Sequence, residues 1–301
     1  MTSTPLSLRP LERARTYASF VRFEHTLFSL PLVLAGVFST PGPALSPVRW
    51  LLLIAAAVGA RTAAMSLNRL IDRRLDALNP RTRSRELPSG KMKAHEAWLL
   101  MVVSTIVYVV ACASLGPWFL KVSVVPLAVF VLYPYLKRFT PLCHLGIGIA
   151  LALAPLAGYA AAHPDLADTT VAWWLAAFAF LWVSGFDIIY STLDEDSDRL
   201  QRVKSMVAWL GRPRALAVSA VFHALAFLSL AGIAVTLLGR LVNAPTWAVP
   251  GVAATLAIAG VLLWLEQKWA SDVDLAFFKV NVVVGFAVLA MVLVARAAGG
   301  F

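Results

Sequence analysis

Nine apolar stretches, each long enough to cross a lipid bilayer, follow one another along this chain of 301 residues. A helix needs about 20 apolar residues to cross roughly 30 Å of hydrocarbon, and it satisfies its backbone polar groups internally. The chain is 60% hydrophobic and only 14% charged. The sequence therefore predicts an all-α, polytopic membrane protein with about nine transmembrane helices in a single domain over residues 1–301. The stretches are 22–40, 48–67, 97–116, 118–136, 143–162, 171–190, 214–237, 246–265 and 276–297.

Basic residues are distributed unequally between the connections of these nine spans. If the N-terminus is cytoplasmic, 21 of the 26 lysines and arginines fall on the cytoplasmic side and four on the opposite side, while Arg61 lies within a span. Because cytoplasmic loops carry an excess of Lys and Arg, the N-terminus is predicted to lie inside and the C-terminus outside. The net charge of +10 has the same explanation, together with attraction to anionic lipids, and does not indicate nucleic acid binding.

Two stripes of acidic side chains lie at the ends of apolar helices, on the predicted cytoplasmic side. At about 100° per residue, each stripe falls within about 80° on one helix face. Like charges one turn apart repel, more strongly where water is scarce, so each stripe favours a bound cation. All the ligand atoms are oxygens, which favours Mg²⁺ over zinc, and Mg²⁺ suggests a diphosphate. The first stripe comprises Asn68, Asp72 and Asp76, and the second comprises Asp187, Asp194 and Asp198.

Helical phase selects further candidate residues beside the two stripes. Arg61 lies about 20° from Asn68, so its guanidinium is predicted to pair with an acidic stripe or a diphosphate. Tyr190, about 60° from Asp187, is predicted to face a cation or to donate a hydrogen bond. Asp187 itself lies two turns deeper than Asp194 and is either a further ligand or a group that orients a substrate hydroxyl.

The same phase argument excludes other charged residues from the site. Glu195 and Asp196 lie about 80° and 180° from Asp187, and neither is expected to bind metal. Arg69 and the pair Arg73–Arg74 are predicted to point away from the first stripe, toward lipid or the following loop.

Short sequence elements around the stripes resemble the UbiA superfamily of intramembrane prenyltransferases. The stripes themselves match its Asn-xxx-Asp-xxx-Asp and Asp-xxx-Asp patterns. Further elements similar to that superfamily are Arg-Glu-Leu-Pro-Ser-Gly at 85–90, Tyr-Pro-Tyr-Leu-Lys-Arg-Phe-Thr at 133–140 and Lys-Ser at 204–205. Elements similar to its 4-hydroxybenzoate polyprenyltransferase branch, which includes enzymes of a menaquinone route, are segments 23–26, 60–65 and 79–82. Many relatives carry Asp where Arg69 stands and Gly where Arg202 stands.

The resemblance implies a helical bundle with a central cavity that opens to the cytoplasmic side of a bacterial inner membrane. It also implies Mg²⁺-dependent transfer of a prenyl chain from an allylic polyprenyl diphosphate to an aromatic acid in quinone biosynthesis. The acceptor is 4-hydroxybenzoate or, alternatively, a dihydroxynaphthoate on a menaquinone route. Carried over from the family, the ligands of two Mg²⁺ ions and the diphosphate are Asp72, Asp76, Asp194 and Asp198, with Asn68 steadying a metal ion or a phosphate oxygen.

Three basic residues complete the implied site. By resemblance, Lys137 and Arg138 contact the diphosphate or the carboxylate of the acceptor. Arg22, at the start of the first apolar stretch, either binds that carboxylate or extends its guanidinium to the membrane interface. Besides the two substrates and the bilayer, no obligate protein partner is evident from the sequence.

Two other interpretations of the acidic stripes stay open at this point. A transporter also uses carboxylates within the membrane, although it more often buries them near the midplane. Alternatively, the carboxylates form only interfacial salt bridges with neighbouring arginines. The prenyltransferase interpretation requires both stripes to meet at the same end of the bundle.

Overall fold

The computed structural model describes residues 10–22, 26–42, 44–241, 243–270 and 279–300, and the regular structure within these ranges is helical. A 3₁₀ turn, Thr192–Asp194, joins α8 to α9, and a wider π turn, Arg296–Gly300, follows α13. The helices are α1 (Pro10–Phe20), α2 (Thr26–Val37), α3 (Pro47–Leu78), α4 (Ala94–Leu115), α5 (Pro117–Val122), α6 (Val124–Phe139), α7 (Cys143–Ala162), α8 (Thr170–Ser191), α9 (Glu195–Leu200), α10 (Met206–Leu210), α11 (Arg212–Gly239), α12 (Ala248–Lys268) and α13 (Asn281–Ala295).

Eight helical segments of the described chain are long and apolar enough to cross a membrane, and they confirm the all-α membrane fold. Each coincides with one of the predicted stretches from 48–67 onward. The first predicted stretch, 22–40, contains α2, whose 12 residues are fewer than the roughly 20 that a crossing requires. Residues 23–25 of that stretch lie outside the described residues, so a ninth crossing stays a prediction. The stretch 118–136 is divided at Ser123 between α5 and α6.

Helix α3 is longer than a bilayer crossing requires. It begins where the Ser46 hydroxyl accepts a hydrogen bond from the Arg49 backbone N–H, with Pro47 in the first turn. It ends at Leu78 because Asn79, which precedes a proline, adopts an extended backbone. Its 32 residues correspond to about 48 Å, so the turns that carry the first stripe extend past the hydrocarbon.

Helix α8 lies at the centre of the bundle. Its side chains are buried between α7 on one side and α11 on the other, with Leu175, Phe178 and Trp182 fully enclosed. Side chains from α2, α11, α12 and α13 complete the same core. The carboxyl-terminal end of α8, which carries the second stripe, is therefore held in place from several sides.

Glycines allow α2 and α7 to approach backbone to backbone. A Cβ atom added at Gly36 would overlap the Pro155 carbonyl oxygen, and one added at Gly158 would overlap the Val33 carbonyl oxygen. Such small-residue contacts are typical of membrane helices, where close van der Waals packing drives association. On the outside of the bundle, large apolar side chains such as Leu51, Ile106 and Val235 are exposed, as expected of surfaces that face lipid.

Candidate active site

The two stripes meet at the same end of the bundle. The connection between α3 and α4, which we call the 79–93 loop, crosses from the end of α3 to the end of α8. Asn79 Nδ2 donates a hydrogen bond of 2.6 Å to Asp194 Oδ1, and Arg81 Nε donates one of 2.8 Å to the same oxygen. The Asn79 side chain also accepts the Arg81 backbone N–H at 2.9 Å, which fixes the start of the loop.

Arg81 links the second stripe to Tyr190. Its guanidinium bonds both oxygens of Asp194, and Nη1 donates to the Tyr190 hydroxyl at 2.7 Å. The same guanidinium lies 4.8 Å from the centre of the Tyr190 ring, a cation–π distance. Burial lowers the pKa of Arg81, but the bonds and charges of Asp194 and Tyr190 outweigh it, so that the pKa lies above its ordinary value. Arg81 therefore stays charged.

Asp76 and Asp72 of the first stripe are nearly buried and each contacts a basic side chain. Asp76 is 7% exposed and accepts a 2.7 Å hydrogen bond from Arg85 Nη1. Asp72 is 3% exposed and accepts from Lys137 Nζ, at the end of α6, and from Asn68 Nδ2 at 3.2 Å. Oδ1 of Asp72 has no hydrogen-bond partner among the described residues. This orphaned buried oxygen is the kind of atom that a metal ion satisfies.

Arg138 bonds the backbone beside the first stripe, whereas Arg61 bonds the backbone just after α1. Arg138 Nη2 donates to the Ile71 carbonyl at 3.0 Å and lies 3.8 Å from Asp72 Oδ1. Arg61 Nη2 donates to the Arg22 carbonyl oxygen at 3.0 Å. The Arg22 backbone has a φ of +49°, a left-handed conformation that non-glycine residues seldom adopt.

The second stripe does not lie on one continuous helix. The 3₁₀ turn at Thr192–Asp194 interrupts it, so the 100° phase used to align Asp187 with Asp194 and Asp198 is not maintained. Asp198 lies near the Ser205 side chain, in the segment that follows α9. Asp196 is exposed and Glu195 pairs with Arg199 at 3.0 Å, away from the first stripe.

A cavity of about 370 Å³ opens beside the 79–93 loop. Its charged lining is mainly cationic, and the Tyr190 side chain forms part of its wall. Such a lining favours an anionic ligand. The cavity is lined by Ser19, Arg22, Arg69, Arg81, Ser84, Arg85, Glu86, Lys91, Tyr190 and Leu193.

The prediction that Arg69 points toward lipid is wrong, whereas the alternative, that it braces the following loop, stays a prediction. Arg69 is 4% exposed and lines this cavity together with residues of the 79–93 loop. The reason is that α3 is covered on more than one side at this level, and Arg69 lies within electrostatic range of Asp76, Glu86 and Arg22. Arg22 also lines the cavity, as a carboxylate-binding role would require.

The donor atoms fit Mg²⁺ that is shared with a substrate, rather than a preformed protein cage. Among the residues that the structure describes, no three His, Cys, Asp or Glu side chains are grouped closely enough to hold a metal by themselves. Mg²⁺ in proteins is commonly bound by one or two carboxylates together with substrate phosphates. The all-oxygen stripes and the unsatisfied Asp72 oxygen suit that arrangement.

Several residues of the site were not assigned a role from the sequence. Asn79, Arg81 and Arg85 belonged to elements that resembled the family, yet nothing in their spacing indicated which carboxylate they contact. His144 has no metal-ligand spacing in the sequence and is expected only to pack or to hydrogen-bond in the core, and its Nδ1 lies 2.7 Å from Asp187 Oδ2. Tyr133 lies within electrostatic range of both Asp72 and Asp187, and its helical phase on α6 relative to Lys137 was the available signal.

Comparison with known proteins gives a consistent result. A profile of the UbiA prenyltransferase family matches residues 29–283. A 4-hydroxybenzoate octaprenyltransferase of Vibrio parahaemolyticus is 29% identical over 204 residues, which cover 67% of this chain and 71% of that protein. A 4-hydroxybenzoate octaprenyltransferase of Shewanella frigidimarina is 30% identical over 207 residues, with 67% and 71% covered.

Solved structures with the same fold include two archaeal proteins. A UbiA homologue from Aeropyrum pernix K1 superposes with a TM-score of 0.79 at 34% identity, covering 91% of this chain and 98% of that chain. A UbiA homologue from Archaeoglobus fulgidus, solved with GPP and Mg²⁺, superposes with a TM-score of 0.70 at 16% identity, covering 94% and 99%. The second likeness concerns the fold alone.

Proposed function

The chain belongs to the UbiA prenyltransferase family and is an intramembrane aromatic prenyltransferase, and from this premise we propose the substrates. The donor is an allylic polyprenyl diphosphate and the acceptor is 4-hydroxybenzoate. The relatives named above support this acceptor, because their names specify 4-hydroxybenzoate. A dihydroxynaphthoate is the alternative acceptor, since it too is a flat phenolic carboxylate.

The convergence of both acidic stripes with basic side chains at one end of the bundle is the observation that carries the proposal. Asp194 is joined to the 79–93 loop through Arg81, and Asp76 is joined to it through Arg85. Carboxylates for a divalent cation and guanidinium groups for phosphate oxygens are the two sets of groups that a metal diphosphate requires. A transporter has no need for that pairing at one membrane face.

The ligands of the proposed metal site are Asn68, Asp72, Asp76, Asp194 and Asp198. When bound, two Mg²⁺ ions would neutralise the negative charge that develops on the departing diphosphate. These side chains supply the oxygen donors that Mg²⁺ prefers.

The basic side chains bind the diphosphate and the carboxylate of the acceptor. Lys137, Arg81 and Arg85 now pair with carboxylates, and we expect each to contact diphosphate oxygens once metal occupies those carboxylates. Arg138 holds the backbone of α3 beside Asp72 and contributes positive charge to the same region. Arg61 holds Arg22, whose position in the cavity suits the carboxylate of the acceptor.

The two ends of the prenyl diphosphate lie in different surroundings. The polar diphosphate occupies the cavity beside the 79–93 loop, whereas the isoprenoid tail lies along apolar helices. Tyr190, already held by Arg81, presents its ring beside the position where the allylic cation develops. The charge distribution supports a cytoplasmic location for this end of the bundle, because most of the basic residues lie there.

A prenyl transfer assay in nanodiscs tests the proposal. The purified protein is offered 4-hydroxybenzoate and a dihydroxynaphthoate separately, each with short and long allylic diphosphates, with Mg²⁺ or with EDTA. We expect Mg²⁺-dependent prenylation of 4-hydroxybenzoate at the carbon ortho to the hydroxyl. If only the dihydroxynaphthoate gave product, it would be the acceptor instead of 4-hydroxybenzoate. Metal-independent transfer would overturn the proposed role of the stripes.

A further inference from the structure

His144 and Asp187 form a hydrogen-bonded pair on neighbouring helices, and Asp187 precedes the proposed ligand Asp194 by about two helical turns. His144 is on α7 and Asp187 is on α8, and His144 Nδ1 lies 2.7 Å from Asp187 Oδ2. The His144 side chain is 4% exposed, whereas the Asp187 side chain is 26% exposed. The histidine is therefore enclosed, while part of the carboxylate remains accessible.

The backbone of α10 determines which nitrogen of His144 carries the proton. The Met206 N–H points at His144 Nε2 over 3.2 Å. Because a backbone N–H is always a donor, Nε2 must accept and the single ring proton lies on Nδ1. His144 thus donates through Nδ1–H, and Oδ2 of Asp187 accepts.

This pair is also connected to the segment that holds Asp198. Lys204 N donates to the Lys137 carbonyl at 2.7 Å, and the Ser205 side chain lies near the Asp198 carboxylate. Met206 directly follows Ser205, so the residues that orient His144 and Asp198 are adjacent in the chain. The ring of His144 is consequently fixed from two directions.

On the premise of the proposed function, we propose that His144 is a positioning residue that orients Asp187 to accept the ring proton of the acceptor. The allylic C–O bond breaks and its electron pair leaves with the diphosphate. A ring carbon ortho to the hydroxyl forms the new C–C bond. The C–H bond at that carbon then breaks, its electron pair restores aromaticity, and the proton passes to the Asp187 carboxylate. Atoms and charge balance without another reactant.

Removing the donor from His144 should impair proton removal more than substrate binding. The Asn side chain of His144→Asn places an N–H near the position of Nδ1, whereas the longer side chain of His144→Gln places its amide near Nε2. We expect His144→Asn to retain most activity. His144→Gln and His144→Leu should lose about 10- to 100-fold in kcat, the range seen when the hydrogen-bond partner of a site ligand is removed. The KM for the prenyl diphosphate should change little.

A kinetic isotope effect separates positioning from a structural role. With an acceptor deuterated at the reacting ring carbon, His144→Gln and His144→Leu should show a larger isotope effect on kcat than wild type, because proton removal becomes slower. His223, which is equally buried and pairs with Gln267 at 2.8 Å, supplies the control. His223→Leu should lower Tm without changing the isotope effect.

Two results would overturn this assignment of His144. One is equal kcat values for His144→Asn and His144→Gln, a comparison made between two folded variants. The other is a fall in kcat without any change in the isotope effect. If the wild-type protein prenylates no aromatic acid, the proposed function and the role of His144 fail together. If the wild-type protein transfers the prenyl chain and the His144 variants are equally active, only the role of His144 is overturned.

Discussion

At the scale of single residues, the acidic side chains of the site are paired with cations that belong to other elements. Asp194 pairs with Arg81, Asp76 with Arg85 and Asp72 with Lys137. Since the two carboxylates of the first stripe are almost buried, removing a cation leaves an uncompensated charge where water is scarce. In the proposed function, the same cations become available to phosphate oxygens when Mg²⁺ binds these carboxylates.

The guanidinium of Arg81 gives the first prediction. Arg81→Lys removes the geometry that contacts Asp194 through two nitrogens and Tyr190 through a third, because an ammonium group is a compact point charge. We expect KM for the prenyl diphosphate to rise about 10-fold, or roughly 1.4 kcal/mol, in a steady-state transfer assay. Arg83→Lys, an exposed position in the same loop, should leave KM unchanged. Equal effects of the two variants would show that Arg81 does not contact the diphosphate.

The aspartates give a second prediction. Asp72→Asn and Asp194→Asn each remove a negatively charged oxygen ligand, and we expect the transfer rate to fall by at least about 100-fold with expression and folding intact. Asp196→Asn, which changes an exposed side chain, should stay near the wild-type rate. A wild-type rate for either of the first two variants would remove that aspartate from the site.

At the scale of helices, the site depends on how closely α2 and α7 pack. Gly36 and Gly158 let the two backbones touch, and α7 also carries His144, about four turns from Gly158. A side chain at these glycines meets backbone atoms of the opposite helix, which cannot rotate aside as a long side chain can. Separation of the two helices is then the only way to relieve the overlap.

Gly158→Ala tests this packing. The added methyl group overlaps the Val33 carbonyl, and we expect a loss of about 1–3 kcal/mol in stability, measured as a lower Tm in nanodiscs. Gly239→Ala is the matched control, because Gly239 also lies in a helix but nothing approaches its added Cβ. Its Tm should be unchanged or slightly higher, since alanine favours helix more than glycine. Equal Tm values for wild type and Gly158→Ala would contradict the close approach.

At the scale of the whole molecule, hydropathy predicted the spans from 48–67 onward because every crossing requires an apolar run, whatever its neighbours. Positive charge predicted that both stripes close on one side. The partners of the stripes were not predictable, because the 79–93 loop has no periodicity that shows its path. Arg69 was misplaced because phase on one helix does not reveal which other elements cover it. The 3₁₀ turn at Thr192–Asp194 likewise has no signal in the hydropathy.

Ligand binding should stabilise the whole bundle if substrate and metal join the two stripes. Mg²⁺ together with geranyl diphosphate should raise Tm. At a ligand concentration of about 100 times Kd, binding stabilises the folded protein by about 2.7 kcal/mol. Geranyl diphosphate with EDTA should raise it much less, because the carboxylates would then repel the diphosphate. The measurement is thermal unfolding of the protein in nanodiscs. Identical shifts with Mg²⁺ and with EDTA would contradict a site shared between metal and diphosphate.

Helix α3 is about 48 Å long, so its length exceeds the hydrocarbon layer of any ordinary bilayer. The first stripe lies on the surplus turns, and Arg81 and Arg85 lie in the loop anchored there, not at the lipid boundary. Reconstitution into thinner or thicker membranes will therefore slide that boundary along α3 while leaving the catalytic geometry intact. Lipid chain length should accordingly alter how readily the isoprenoid substrate partitions into the enzyme, and leave the turnover of bound substrate constant.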